Sequence, residues 1–107
     1  MSETIDQLMN RLRTEYLSEV PHRVAELKSG LAALRRGDEG ARADLARLFH
    51  KLAGTAGAYG YREVSGKCRQ TEERLVASPE YAAETAALVD KVIAEIEAEL
   101  VRTGREE

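Results

Sequence analysis

The chain has 107 residues, 43% of them hydrophobic, and a net charge of −3. That is one domain's worth of protein with apolar content for one core, and the slight acidity argues against a nucleic-acid binder, which normally shows a basic face. No apolar run approaches the roughly 20 residues that span a bilayer, so no membrane-spanning helix is expected. The opening residues, MSETIDQLMNR, lack the basic-then-apolar order of a signal peptide. The single cysteine, Cys68, cannot form an internal disulfide, and a reducing, cytoplasmic setting is expected.

With no Trp, one Phe and two Pro among abundant Ala, Leu, Glu and Arg, the composition favours helix over sheet. The first stretch runs from Ile5 to about Arg35, with Ile5, Leu8, Leu12, Tyr16, Val20, Val24, Leu27, Leu31 and Leu34 in steps of three and four. Those steps mark one apolar helical stripe. Pro21 interrupts it, which predicts a kink or a split there. Gly37 and Gly40 bracket a turn, with Asp38 available as a cap.

The second stretch, about 41–60, places Leu45, Leu48, Phe49, Leu52, Ala56 and Tyr59 on one face, and Gly60 closes it. The third, about 61–77, carries the stripe Tyr61, Val64, Cys68, Glu72 and Leu75. Ser78-Pro79 then reads as an N-cap and a first-turn proline. The fourth, about Pro79 to Arg102, uses Ala82, Ala86, Val89, Val92, Ile93, Ile96 and Leu100, and Thr103 to Glu107 should fray. Long helices with short connections pack as antiparallel neighbours. The expected fold is all-α, an up-and-down antiparallel four-helix bundle forming one domain over residues 1–107.

His50 stands out on the second stretch. At about 100° per residue it lies roughly 140° from the centre of the apolar face, on the solvent side. Ala46, Ala53, Gly54 and Gly57 share its face, with Arg47 at the edge. A solvated face normally carries long charged side chains, and glycines inside a helix lose on the order of 1 kcal/mol each relative to alanine. Two readings stand side by side: the surface is cleared so that another molecule can reach the imidazole, or the glycines permit close helix packing.

Gly60 joins the second and third stretches into a hairpin. His50 lies ten positions before it, so Arg69 to Glu73 fall within about one turn of the histidine's height. Glu72, on the inward stripe, needs a donor. That donor is the His50 ring, a cation such as Arg69 or Lys67, or solvent at the bundle edge. A carboxylate on Nδ1–H would fix the tautomer and leave Nε2 free, as a histidine nucleophile requires.

The segment His50-Lys51-Leu52-Ala53-Gly54-Thr55-Ala56-Gly57-Ala58-Tyr59-Gly60-Tyr61 resembles the signature of histidine-containing phosphotransfer (HPt) domains. Their usual form is His-x-Leu-Lys-Gly, then small residues, then an aromatic or aliphatic residue and Gly. The resemblance implies phosphorylation of His50 at Nε2, clearance from Gly54, and an orienting role for Glu72. The cleared face around the histidine gives Ala46, Ala53 and Gly57 as partner-facing positions. Where the family commonly has a lysine, this chain has Ala53. The nearest cations are Arg47, one turn before, Arg69, across the hairpin, and Lys51, which is poorly placed for the task.

A phosphorelay carrier is therefore expected, exchanging phosphoryl with an aspartate of a response-regulator receiver domain, with a histidine kinase as a second candidate partner. Mg²⁺ is expected only in the receiver, with no cofactor in this chain. No GxxxxGK loop or strand–helix glycine fingerprint points to an ATP site, so the chain is expected to be a carrier and not a kinase. The competing expectation is a helical module that docks receivers or kinases without carrying phosphate. A metal-binding bundle lacks ligands, since His22 and His50 lie on different stretches and paired Glu-x-x-His motifs are absent.

Overall fold

A computed structural model describes residues 2–77 and 83–106 of the chain. Among them are five helices and no strand: α1 (Ile5–Ser18), α2 (Val20–Arg35), α3 (Ala41–Ala58), α4 (Arg62–Ala77) and α5 (Ala83–Glu106). The predicted Ser78-Pro79 cap and the stripe residue Ala82 lie outside the described residues. The tail expected to fray is helical through Glu106.

The first apolar stretch is divided at Glu19, two residues ahead of Pro21. Proline has no N–H to donate and its ring collides with the carbonyl four residues back, so it is accepted only in a helix's first turn. Pro21 takes such a position in α2, which forces the preceding helix to end. Glu19 N–H closes α1 onto Tyr16 O at 3.1 Å. At its other end α1 starts with a capping box: Thr4 Oγ1 accepts from Gln7 N at 3.1 Å, and Thr4 N donates to Gln7 Oε1 at 2.9 Å. The stripe predicted for this helix is buried only at Tyr16, while Ile5 is 79% exposed and Leu8 is exposed as well. Its periodicity marks an amphipathic helix, yet the first turns of α1 have no described neighbour to cover them.

Both hairpin glycines of the middle region terminate helices. Gly37 and Gly60 have φ of +74° and +88°, the left-handed conformation that follows a helix end. Beyond Gly60, Tyr61 N donates to Ala56 O at 2.9 Å and Gly60 N to Gly57 O at 3.1 Å, a Schellman motif that turns the chain sharply into α4. Asp38, expected to cap α3, does not. The N-cap is Gly40, without a side-chain bond, and the Asp38 carboxylate accepts from Arg36 Nη2 at 2.8 Å.

Helix α2 packs on α3 and α5, and α4 also packs on α3 and α5, so these four close a ring of neighbours. Inside it lie Leu27, Leu31, Leu45, Phe49, Leu52, Val64, Leu75, Val89, Ile93 and Ile96. Cys68 is in this core too, and burial pushes its thiol up to about 12, which keeps it neutral and unreactive. Tyr16 stacks on Tyr59 with ring centroids 4.8 Å apart, and its hydroxyl lies 3.3 Å from Thr55 Oγ1. That cluster ties α1 to the hairpin end of α3 and α4.

Candidate functional site

Helix α3 sends Leu45, Phe49, Leu52 and Ala56 into the core. His50 follows Phe49 and is rotated about 100° from it, which carries the imidazole out of the ring of helices. Its side chain is 76% exposed. On α4 the core positions are Val64, Cys68, Thr71 and Leu75. Glu72 is therefore carried by the same rotation from buried Thr71 to the edge of the α3–α4 seam, where its side chain is 25% exposed.

The two edges meet. His50 Nδ1 lies 2.9 Å from Glu72 Oε1 and 3.1 Å from Oε2. An ionised carboxylate can only accept, so Nδ1 carries the proton and donates. In the neutral ring that tautomer leaves the lone pair on Nε2, at the far side. The other donors weighed for Glu72 are placed elsewhere: Lys67 donates to Glu95 Oε2 at 2.7 Å, and no hydrogen bond or ion pair joins Arg69 to Glu72.

The register that produces this contact is centred on Tyr61, not on Gly60. His50 stands eleven positions before Tyr61 and Glu72 eleven after, while Gly57 and Ser65 stand four on either side. That second pair also touches: a Cβ added at Gly57 would lie 3.2 Å from Ser65 Oγ. Ser65 Oγ in turn donates to Ala53 O at 2.8 Å. Ser65, which the sequence reading passed over, is thus the pin that holds α3 and α4 together beside the histidine. A small residue at the hairpin height of Gly57 was the available signal.

The two glycines separate cleanly. A Cβ at Gly54 would meet nothing within 4 Å, so the space beside His50 is open. Gly57 is a close-packing glycine. Ala46 and Ala53 need correction: they do not share an exposed face with His50 but are 7% and 6% exposed. Helix α3 makes its most extensive contact with α4, and so close an approach widens the buried arc of α3 to include both alanines. They set the helix spacing and are not available to a partner.

The three cations near His50 also differ. Arg47 is paired with Asp44 one turn earlier on α3. Lys51 borders a groove between α2 and α3 with Arg23, Glu26, Leu27, Leu48 and Leu52. Arg69 lines an open groove together with His50, Glu72, Glu73, Val76 and Ala77. His22 is on the surface, 3.2 Å from Glu26. Among the described residues no group of three or more His, Cys, Asp or Glu could hold a metal ion, and no helix is long and apolar enough to cross a membrane.

No curated protein and no solved structure significantly matches the chain. A family model, that of the Hpt domain, matches residues 11–103 and so takes in the whole α3–α4 hairpin. The chain belongs to the Hpt domain family, whose members are histidine phosphotransfer carriers in phosphorelays and have no ATP site of their own.

Proposed function

We propose that this protein carries a phosphoryl group on His50 Nε2 and exchanges it with an aspartate of a response-regulator receiver domain. The observation that carries the proposal is the exposed imidazole with Nδ1 held by Glu72 beside the open space at Gly54. The domain is read as residues 1–107, with α2 to α5 as an antiparallel four-helix bundle displaying the site on its side. Its setting is taken to be cytoplasmic.

In the forward direction the Nε2 lone pair attacks phosphorus in line with the acyl-phosphate P–O bond of the partner. The N–P bond forms as that bond breaks, and its electron pair leaves on the aspartate oxygen. The proton on Nδ1 stays where it is. The ring thereby becomes a phosphoimidazolium, and its positive charge is met by the Glu72 carboxylate at hydrogen-bond distance. In the reverse direction the same contact keeps the imidazole a ready leaving group of the right tautomer. The receiver's own acidic pocket would hold the Mg²⁺ that neutralises charge on the phosphoryl oxygens. This chain contributes orientation and access. A receiver must bring its backbone close to Nε2, and Gly54, one turn beyond His50, offers no side chain to obstruct it.

The test is phosphotransfer from labelled receiver to the purified protein. Label should appear on wild type as an acid-labile, base-stable adduct, and His50→Gln should take none while keeping its helicity. Labelled ATP alone should leave both unlabelled. Label retained by His50→Gln would move the site elsewhere. Binding of receivers without any label on wild type would make the protein a docking module.

A further inference from the structure

We infer that Arg69, presented from α4, is the cation that receives the phosphoryl group on His50; this rests on the function proposed above and names the charge that the site otherwise lacks. Of the positions one turn from the imidazole on its own helix, Ala46, Ala53 and Gly54 carry no charge. A phosphoryl group adds roughly −1.5 to −2 charges at pH 7, and Glu72 stands on the opposite side of the ring with a further negative charge. Some cation must offset them.

Geometry selects among the candidates. Arg47 is already paired with Asp44, and Lys51 opens onto the groove between α2 and α3. Arg69 borders the same groove as His50 and Glu72, and among the described residues no hydrogen bond or ion pair holds its side chain. Its register is also favourable. Arg69 lies eight positions after Tyr61 and Ala53 eight before it, in the symmetric pairing that already joins His50 to Glu72 and Gly57 to Ser65. Arg69 therefore stands opposite Ala53, about 4.5 Å along the helix axis from the height of His50. Ala53 is small and nearly buried, and Gly54 beside it is open. No side chain on α3 blocks the path from Arg69 to the hairpin side of the ring. Neighbouring helices are about 8–10 Å apart, a span that an extended arginine crosses, and its planar fork matches two phosphoryl oxygens at once. The Glu73 carboxylate in the same groove competes weakly, being exposed to solvent.

The experiment labels the full chain with phosphoramidate, whose P–N bond breaks to release ammonia as the Nε2–P bond forms. The ³¹P resonance of the adduct is then titrated with pH, and its hydrolysis timed, in wild type, Arg69→Ala, Arg69→Lys and Arg69→Glu. An adjacent cation favours the more highly charged phosphoryl form and lowers its titration midpoint. Arg69→Ala should raise the midpoint by roughly half a pH unit and Arg69→Glu by about one. Arg69→Lys should fall near wild type, and 1 M salt should shrink the differences because charges are screened within about 3 Å. A merely structural role would not produce that salt-dependent order. Equal midpoints and lifetimes in all four proteins, with the label on His50, would overturn the role of Arg69 alone. Label that persists in His50→Gln, or none on wild type from phosphoramidate or receivers, would remove the parent reading and this inference together.

Discussion

The two edges of α3 that border the site are built from the same small residues and use them in opposite ways. Along the seam with α4, Ala46, Ala53 and Gly57 are small because another helix fills the space: Ser65 is pressed against Gly57 and bonded to Ala53 O. On the open side, Gly54 is small with nothing among the described residues within 4 Å of where a Cβ would stand. The first edge is accounted for by stability, since close packing recovers contacts that glycine forgoes. The second is not. A glycine inside a helix with free space around it loses about 1 kcal/mol for no internal gain, so its reason lies outside this chain. The comparison teaches that smallness in a sequence is ambiguous until one asks what a methyl group would touch.

The largest expected effect tests whether the seam serves the open side. Glu72 is delivered to His50 by the packed register, so Glu72→Ala should slow acceptance of phosphoryl from a phosphorylated receiver by about 10- to 100-fold, by analogy with the carboxylates that orient metal-ligating histidines. Helicity and thermal midpoint should barely change, because the carboxylate at the seam edge bonds to His50 alone among the described residues. Glu72→Gln keeps an acceptor for Nδ1–H without the negative charge and should fall between the two. Rapid-quench measurements check the order, and equal rates in all three would detach the seam from the chemistry.

A smaller effect probes the seam itself. Gly57→Ala gains about 1 kcal/mol of helix propensity but places a Cβ 3.2 Å from Ser65 Oγ. That oxygen cannot swing aside without giving up its bond to Ala53 O. Overpacking of about 1–3 kcal/mol then outweighs the gain, and the variant should lose about 1 kcal/mol in urea denaturation. Adding Ser65→Ala removes the clashing atom, so the two changes should be coupled in a double-mutant cycle. Strictly additive changes would mean that Ser65 is not the obstacle.

What was legible in the sequence follows the same division. The all-helical class came from composition and period, and the outward direction of His50 came from rotation along one helix, a local property. The nearness of Glu72 was readable because the turn at Gly60 is short and helical rise is constant; an offset of one residue in the turn centre still fell within the reach of a glutamate. The burial of Ala46 and Ala53 was not readable, because it depends on how closely α4 approaches, which Ser65 and Gly57 decide from across the hairpin. Ile5 and Leu8 show the converse error, since periodicity reveals an apolar face without revealing a neighbour to cover it. Pro21 signalled a break, but the helix ended at Glu19 because the proline itself was accommodated in the next first turn. Asp38 looked like a cap and instead pairs with Arg36, since Gly40 already starts α3.

The smallest effect in energy is the most discriminating for the comparison. Gly54→Ala introduces the same methyl group as Gly57→Ala, one turn from the same histidine, yet meets nothing within 4 Å. It should therefore stabilise the protein, by up to about 1 kcal/mol, where its counterpart at 57 destabilises. Its penalty should fall on phosphotransfer from a receiver, because a docking surface must come within bonding distance of Nε2 over that position. Labelling by phosphoramidate, which needs far less room, should be nearly unaffected. A bulkier Gly54→Leu should widen the gap between the two donors. If both donors slow equally, the added group is disturbing the imidazole and not the approach of a partner. If neither slows, the open side of α3 has no occupant at this position, and the contrast between the two glycines reduces to packing alone.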